Sequence, residues 1–173
     1  MIVRLAPLDG VCIVEQERFA DERGFFARTF DVEVLGPVVQ MSTSFNARAG
    51  TLRGLHFQAA PHEEAKLVRC TRGVMWDVAV DLRPDSPTRH RWHAVELTQE
   101  NGLALFIPEG FAHGFQTLVD ATEVLYAMSV AHVPGAARGL RWDDPAFGID
   151  WPEPPHGGRT MSPRDASYPI LGQ

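Results

Sequence analysis

Apolar and polar residues alternate along residues 74–82, which read VMWDVAVDL. One set of alternate positions is entirely apolar, whereas the other contains two aspartates, Asp77 and Asp81. A repeat of two residues is typical of a β-strand, in which successive side chains point to opposite faces. The segment therefore predicts a strand with one apolar face.

Several other segments are rich in valine, leucine and aromatic residues, as strands are. They read AKLVRC, RWHAVEL, LALFI and EVLYAMSV, and EQERFADERGFFARTF adds a strand that turns at Arg23 and Gly24. Turn signals recur at RPDSPT, TQENG and IPEG, and 13 prolines and 15 glycines disfavour long helices. The pattern predicts an all-β sandwich or barrel. The tail from residue 135 is expected to form loops and short helical turns.

Length and charge narrow the function classes. A chain of 173 residues predicts a single domain spanning residues 1–173. The net charge is -6 and no basic run appears, so we expect no nucleic-acid partner. No stretch approaches the ~20 apolar residues of a membrane span, and the first residues lack the apolar core of a signal peptide. Because the spacing of Cys12 and Cys70 gives no sign of pairing, we expect a reduced, cytoplasmic protein.

Two histidine segments, TLRGLHFQ and IPEGFAHGF, are the candidates for chemistry. Residues 102–113 read G-x5-P-x-G-x2-H, which resembles the second half of the cupin signature. This resemblance implies a double-stranded β-helix, or jelly-roll barrel. Pro108 and Gly110 would form a tight turn between strands, and His113 would point into the mouth of the barrel.

Many cupins bind a metal ion through an H-x-H motif, but this chain has His56, Phe57 and Gln58 at those positions. One imidazole and one amide make a poor ligand set for a transition metal, even with His113 added. The segment with His62, Glu63 and Glu64 is interpreted as a solvated loop. We therefore predict a barrel without metal or other cofactor, in which the histidines transfer protons.

Six segments together resemble the dTDP-4-dehydrorhamnose 3,5-epimerase family, which are metal-independent cupins. They are DERGFF, GTLRGLHFQ, KLVRCTRGVMWDVAVDLRPDSPT, IPEGFAHGF, LYA and RWDDPAFGIDWP, and they span roughly residues 20–165 in the family's order. The resemblance implies a homodimer and a nucleotide-linked 6-deoxyhexose with a ketone at C4. It implies epimerisation at C3, at C5 or at both through an enolate.

The family resemblance also assigns roles to residues. His56 matches the base, Asp165 the carboxylate that orients it, and Tyr126 the acid that returns a proton. Lys66, the only lysine in the chain, and His113 match groups near the C4 oxygen. An imidazole suits proton removal because its ordinary pKa lies near neutrality. A cation or hydrogen-bond donor at the oxygen stabilises an enolate.

Substrate contacts follow from the same resemblance. Arg23 and Arg53 match residues that bind the phosphates, for which a guanidinium fork is well shaped. In a regular strand, however, Arg53 and His56 would face opposite sides, because their spacing is odd. We expect a bulge or twist at Gly54 to bring both into one pocket. Further substrate contacts are expected at Phe26, Gln58, His132 and Arg164.

Several positions depart from the family pattern in the expected nucleotide pocket: Arg28 and Ala137 replace glutamates, Met41 and Thr43 a glutamine and an asparagine, His132 a tyrosine, and Arg164 a lysine. We infer that the reaction is kept, while the nucleotide (dTDP, CDP or GDP) and the sugar stay open. Two other functions stay open as well. One is a metal-dependent cupin dioxygenase or isomerase, and the other is a non-catalytic protein that binds sugar nucleotides.

Overall fold

The computed structural model describes residues 1–172, and β-strands dominate them. Within these residues, helix is limited to α1 (Val32–Leu35) and α2 (Pro163–Ala166), and neither is long and apolar enough to cross a membrane. The strands are β1 (Ile2–Leu5), β2 (Cys12–Glu15), β3 (Arg18–Asp21), β4 (Gly24–Ala27), β5 (Gln40–Asn46), β6 (Leu52–Gln58), β7 (Lys66–Arg72), β8 (Val74–Asp81), β9 (Trp92–Thr98), β10 (Leu103–Ile107), β11 (Phe111–Thr117), β12 (Thr122–Met128) and β13 (Ala137–Gly139).

Two antiparallel sheets form a barrel of the jelly-roll type. One sheet has the order β1-β2-β10-β7-β12-β5, and the other has the order β13-β6-β11-β8-β9. Their inner faces share one core, in which Val68 and Leu105 of the first sheet pack with Met75 and Phe115 of the second. The all-β barrel predicted from the strand pattern is thus confirmed, and so is the hairpin of β3 and β4.

Strand β8 differs from its prediction in one respect, because both of its faces are buried. The apolar face, with Trp76 and Val78, points away from the barrel interior and packs against Phe147 and Trp151 of the C-terminal segment. The other face carries Met75 into the central core, and Asp77 on that face is fully buried. The predicted apolar face is therefore present, on the outside of the sheet beneath the tail, and the unexpected feature is that the face with the aspartates is buried as well.

The C-terminal segment consists mostly of loops and short helical turns, as predicted, with β13 as an addition. Strand β13 pairs with β6, and Thr160 forms a parallel bridge with Thr51 at the other end of β6. Helix α2 follows at once. Ser162 caps it by accepting a hydrogen bond from the Asp165 backbone N–H at 3.0 Å, and Pro163 occupies its first turn. The tail is therefore held against β6, the strand that carries His56.

Candidate active site

A cavity of about 690 Å³ opens between the two sheets and the C-terminal segment. Strands β5, β6, β7, β11 and β12 line it, together with residues from α2. The cavity brings together most of the predicted site residues, which lie far apart in the sequence: Arg53, His56, Gln58, Lys66, His113, Tyr126, His132, Arg164 and Asp165.

A β-bulge explains how Arg53 and His56 line the same cavity. His56 pairs with His113 of β11, whereas Arg53 pairs with Phe115, so two residues of β6 lie opposite the single residue Gly114. The extra residue turns Arg53 to the side that His56 faces. The bulge begins at Gly54, whose φ is +129°, as predicted from the odd spacing. A Cβ at Gly54 would lie 2.5 Å from the Gly114 Cα, so only glycine fits there.

His56 and Asp165 form a hydrogen-bonded pair. The Nε2 atom of His56 lies 2.8 Å from Oδ1 of Asp165, whose side chain is almost fully buried. Because an ionised carboxylate only accepts hydrogen bonds, Nε2 carries a proton and Nδ1 of the neutral ring keeps its lone pair. The rings of His56 and Tyr168 pack in a T-shaped arrangement, with their centroids 5.7 Å apart. The pair therefore presents a basic nitrogen of defined tautomer.

The ionised form of Asp165 is favoured by its surroundings. Burial alone would raise the pKa of this carboxyl, but the hydrogen bond and charge of His56, with hydrogen bonds from the Gly54 backbone and Ser162, lower it overall. Asp165 thus contacts both His56 and Ser162, the residue that caps α2.

A second histidine–aspartate pair lies deeper in the barrel. His113 Nε2 is 2.6 Å from Oδ1 of Asp77, and both side chains are buried. The His113 ring also lies near Tyr126, with centroids 6.2 Å apart. Asp77 was not among the residues predicted from the sequence to belong to the site. The signal was present, because an aspartate stands at an otherwise apolar position between Met75 and Ala79.

Tyr126 contributes a protonated phenol to the cavity. Its hydroxyl oxygen lies 3.1 Å from the Ser44 hydroxyl oxygen. Burial raises the pKa of Tyr126 well above its ordinary value, and the Ser44 hydrogen bond opposes that shift only in part. The phenol therefore keeps its proton at neutral pH and is available as a donor.

Lys66 is paired with Glu64 inside the cavity. The ammonium lies 2.9 Å from Oε1 of Glu64, and only 8% of the Lys66 side chain and 10% of the Glu64 side chain are exposed. The interpretation of Glu64 as a solvated loop residue was therefore wrong. Contacts with residues far along the chain bury the loop, and nothing in its local composition indicates them.

The Gln58 side chain lines the cavity, but its amide is engaged by the protein itself. Its Nε2 atom donates to Glu64 Oε2 at 3.1 Å and to the His62 carbonyl at 3.1 Å, and its Oε1 accepts from the Val133 N–H at 2.6 Å. These bonds hold the loop after β6 against the segment around His132.

Three arginine side chains line the cavity and bring positive charge to it. Arg53 donates from Nε to Asn46 Oδ1 at 2.8 Å, which leaves its remaining N–H groups for a ligand. Arg138, Arg164 and His132 also line the cavity. This set is suited to an anionic group such as a diphosphate.

The side chains of β5 alternate between the cavity and the outside, and this corrects the expectation that Met41 and Thr43 lie in the nucleotide pocket. Gln40 and Ser42 line the cavity, whereas Met41 is 59% exposed and Thr43 is also exposed, on the opposite face of the strand. Met41 and Thr43 therefore do not occupy the pocket positions assigned to them. A glutamine is kept in the pocket, and Ser42 is its neighbour there.

Three residues expected near the ligand lie outside this cavity. Arg23 and Phe26 belong to the hairpin of β3 and β4, where Arg23 pairs with Asp21 and Phe26 is 75% exposed. Arg28 follows the hairpin and forms an ion pair with Asp31 at 2.6 Å. Within one chain, these residues do not reach the groups around His56.

Possible metal ligands are scattered in the described part of the chain. Within residues 1–172, no three His, Cys, Asp or Glu side chains come together in an arrangement that could hold a metal ion. His56 and His113 each use Nε2 to contact an aspartate.

Known proteins share both the sequence and the fold. The family model for dTDP-4-dehydrorhamnose 3,5-epimerase matches residues 6–173. The enzyme of that name from Sinorhizobium fredii is 45% identical over 168 residues, which cover 93% of this chain and 85% of that protein.

Solved structures agree with the sequence match. The epimerase from Elizabethkingia anophelis has a TM-score of 0.93 at 35% identity, covering 99% of this chain and 96% of that one. The Bacillus anthracis enzyme, with TDP and PPi bound, has a TM-score of 0.92 at 36% identity, covering 98% and 99%. The chain therefore belongs to the dTDP-4-dehydrorhamnose 3,5-epimerase family, and it is an isomerase that epimerises a nucleotide-linked 4-keto-6-deoxyhexose at C3, at C5 or at both.

Proposed function

We propose that His56 is the base of this epimerisation and that Asp165 orients it. The carbons on either side of the C4 ketone carry acidic hydrogens. Nδ1 of His56 takes one of these protons, and the C–H electrons move to the C4 oxygen as an enolate forms. The observation that carries this proposal is the 2.8 Å contact between His56 and Asp165 at the wall of the cavity. It fixes the tautomer needed for proton removal.

Tyr126 is the acid that returns a proton to the other face of the sugar. A phenol whose pKa is raised by burial is fully protonated at neutral pH, so it can donate to the carbanion carbon. After donation, the phenolate recovers a proton from solvent, and His56 releases its own proton to solvent. The enzyme therefore returns to its starting state without a cofactor.

Lys66 and His113 stabilise the enolate oxygen. The Lys66 ammonium has three N–H donors, and the contact with Glu64 uses one of them, so two remain for the C4 oxygen. His113 lies beside Tyr126 and is held by Asp77. Donors that are fixed before the reaction stabilise a developing oxyanion strongly in a site that excludes water.

The substrate is a dTDP-linked sugar, as the names of the relatives say of those enzymes. Gln40 and Ser42 line the pocket and offer amide and hydroxyl groups to a base. We assign the diphosphate to Arg53 and Arg164, which also line the pocket. In thermal unfolding with a panel of nucleoside diphosphates, dTDP should raise the midpoint more than CDP or GDP at equal concentration. A larger shift with CDP or GDP would overturn the choice of nucleotide.

A second copy of the chain completes the assembly as a homodimer. The β3–β4 hairpin exposes three aromatic rings, Phe19, Phe25 and Phe26, and Arg23 lies at its turn. Exposed aromatic clusters mark interaction surfaces. Light scattering should give twice the chain mass, and a monomeric mass would contradict the proposal.

The free thiols of Cys12 and Cys70 support a cytoplasmic location, where thiols stay reduced.

Variants of the base and the acid test the division of roles. In D2O with a 4-keto sugar nucleotide, His56→Asn should stop deuterium incorporation. Tyr126→Phe should still exchange hydrogen through His56 but should form little epimer, because the donor on the other face is lost. His156→Asn is the matched control, since His156 is exposed and lies outside the cavity. Full activity of His56→Asn, or normal epimer formation by Tyr126→Phe, would refute the assignments.

A further inference from the structure

Glu64 is the acidic partner of the only lysine in the chain, and it is held from two sides. Oε1 contacts the Lys66 ammonium at 2.9 Å, and Oε2 accepts from Gln58 at 3.1 Å. The adjacent Glu63 forms no ion pair within residues 1–172. Two glutamates in one short loop therefore differ sharply in their contacts, and only Glu64 lines the cavity.

Gln58 links this carboxylate to the other rim of the cavity. It bonds the His62 carbonyl, and on the far side it contacts the Val133 N–H at 2.6 Å and the Ala131 carbonyl at 3.4 Å. The loop between β6 and β7, residues 59–65, is also held at its end, where the Ala65 N–H donates a hydrogen bond to the Ser129 hydroxyl at 2.8 Å. Glu64 thus belongs to a loop that several hydrogen bonds fix in place, so the position of its carboxylate is defined.

A lysine side chain has four rotatable carbon–carbon bonds, and its ammonium can point in many directions. A substrate ketone is neutral, so it attracts and orients the ammonium only weakly before the enolate forms. A buried carboxylate at a fixed position orients the ammonium, because it accepts a hydrogen bond from one N–H and thereby sets the direction of the other two. It also compensates a cation that would otherwise be buried alone.

We propose that Glu64 is a positioning residue that aims the Lys66 ammonium at the C4 oxygen, with Gln58 holding Glu64 in place. This role rests on the proposed function, in which Lys66 stabilises the enolate. Glu64 acts through Lys66 and does not contact the reacting carbons. Its loss should therefore lower kcat much more than it changes KM, since the affected interaction strengthens only as charge develops on the oxygen.

The test is a cycle of four enzymes: wild type, Glu64→Gln, Lys66→Ala and the double variant. We expect Glu64→Gln to lower kcat about 10- to 100-fold, in line with the cost of misplacing a catalytic group by about 1 Å. KM should stay within about threefold, and Glu64→Asp should recover part of kcat. In the Lys66→Ala background, Glu64→Gln should cause no further loss, because its target is gone.

Glu63→Gln is the matched control, and it should retain wild-type kinetics. Since removing one partner of a buried ion pair also destabilises a protein, all rates are compared well below each unfolding midpoint. An unchanged kcat in Glu64→Gln, a raised KM with kcat intact, or an equal further loss in the double variant would each overturn the positioning role. If wild type itself showed no turnover, the proposed function would fail instead.

Discussion

Replacing Gly54 by alanine removes the conformational freedom on which the bulge in β6 depends. The φ of +129° is one that residues with a Cβ rarely adopt. The added Cβ would lie 2.5 Å from the Gly114 Cα and 2.9 Å from the His113 carbonyl oxygen. Both of these neighbours are backbone atoms of the paired strand, so neither can rotate away as a side chain could.

The expected cost is large. Forcing a residue into a disfavoured backbone region costs about 1–3 kcal/mol, and overpacking a filled site costs about 1–3 kcal/mol more. We therefore expect the free energy of unfolding to fall by about 2–6 kcal/mol. If the strand relaxes instead, Arg53 and His56 lose their common orientation, and the contact of His56 with Asp165 is disturbed. In that case kcat/KM falls even where stability is partly kept.

Urea titration followed by intrinsic fluorescence measures the stability change, and kcat/KM is measured on the same preparations. Gly135→Ala is the control, because a Cβ there meets no atom within 4 Å and φ is not in the left-handed region. We expect that control to stay within about 1 kcal/mol of wild type. A Gly54→Ala enzyme that matched this control in both stability and kcat/KM would refute the account of the bulge.

Three further changes have defined outcomes. Asp165→Asn should lower kcat about 10- to 100-fold while the fold persists, because His56 loses the carboxylate that fixes its tautomer; steady-state kinetics beside circular dichroism would show this, and unchanged kcat would contradict it. The buried Asp81 has a pKa lowered to about 2, since hydrogen bonds from Arg83, Ser86 and Thr88 outweigh the effect of burial. The lowered pKa stabilises the fold by about 2 kcal/mol above pH ~4, and this is lost as pH falls towards 2. Asp81→Asn should thus be destabilised at pH 7, with the gap to wild type closing below pH ~4; a gap independent of pH would refute the role of the charge. Arg23→Ala should raise KM without changing stability if the hairpin serves the cavity of a second copy, and an unchanged KM would argue against that arrangement.

Local patterns predicted the strands well but not which face of each strand is covered. The alternation in residues 74–82 identified β8 almost to its ends. It could not show that Phe147 and Trp151, far along the chain, bury the apolar face while Asp77 points inward. The covering segment has no periodicity of its own, so its place becomes visible only in three dimensions.

Some residues of the site were likewise predicted from the sequence, and others were not. Short motifs and the family resemblance pointed to His56, Lys66 and Tyr126, and the structure places all three at one cavity. Glu64 was missed, because a proline-rich loop with adjacent acids has the composition of a solvated loop. Glu64 contacts Lys66 and Gln58, and Gln58 in turn bonds Val133, which lies far along the chain. The sequence therefore indicated Asp165 as the partner of His56 but not Glu64 and Asp77, which contact Lys66 and His113.

Solvent hydrogen exchange tests the central claim most directly. Wild-type enzyme is incubated in D2O with a dTDP-linked 4-keto-6-deoxyhexose, and NMR locates the deuterium in the product. On the proposal that His56 removes a proton and another donor returns one from solvent, we predict an epimerised product with deuterium at C3, at C5 or at both, and none with His56→Asn. Epimerised product that kept its original hydrogens at both carbons would contradict proton transfer through an enolate.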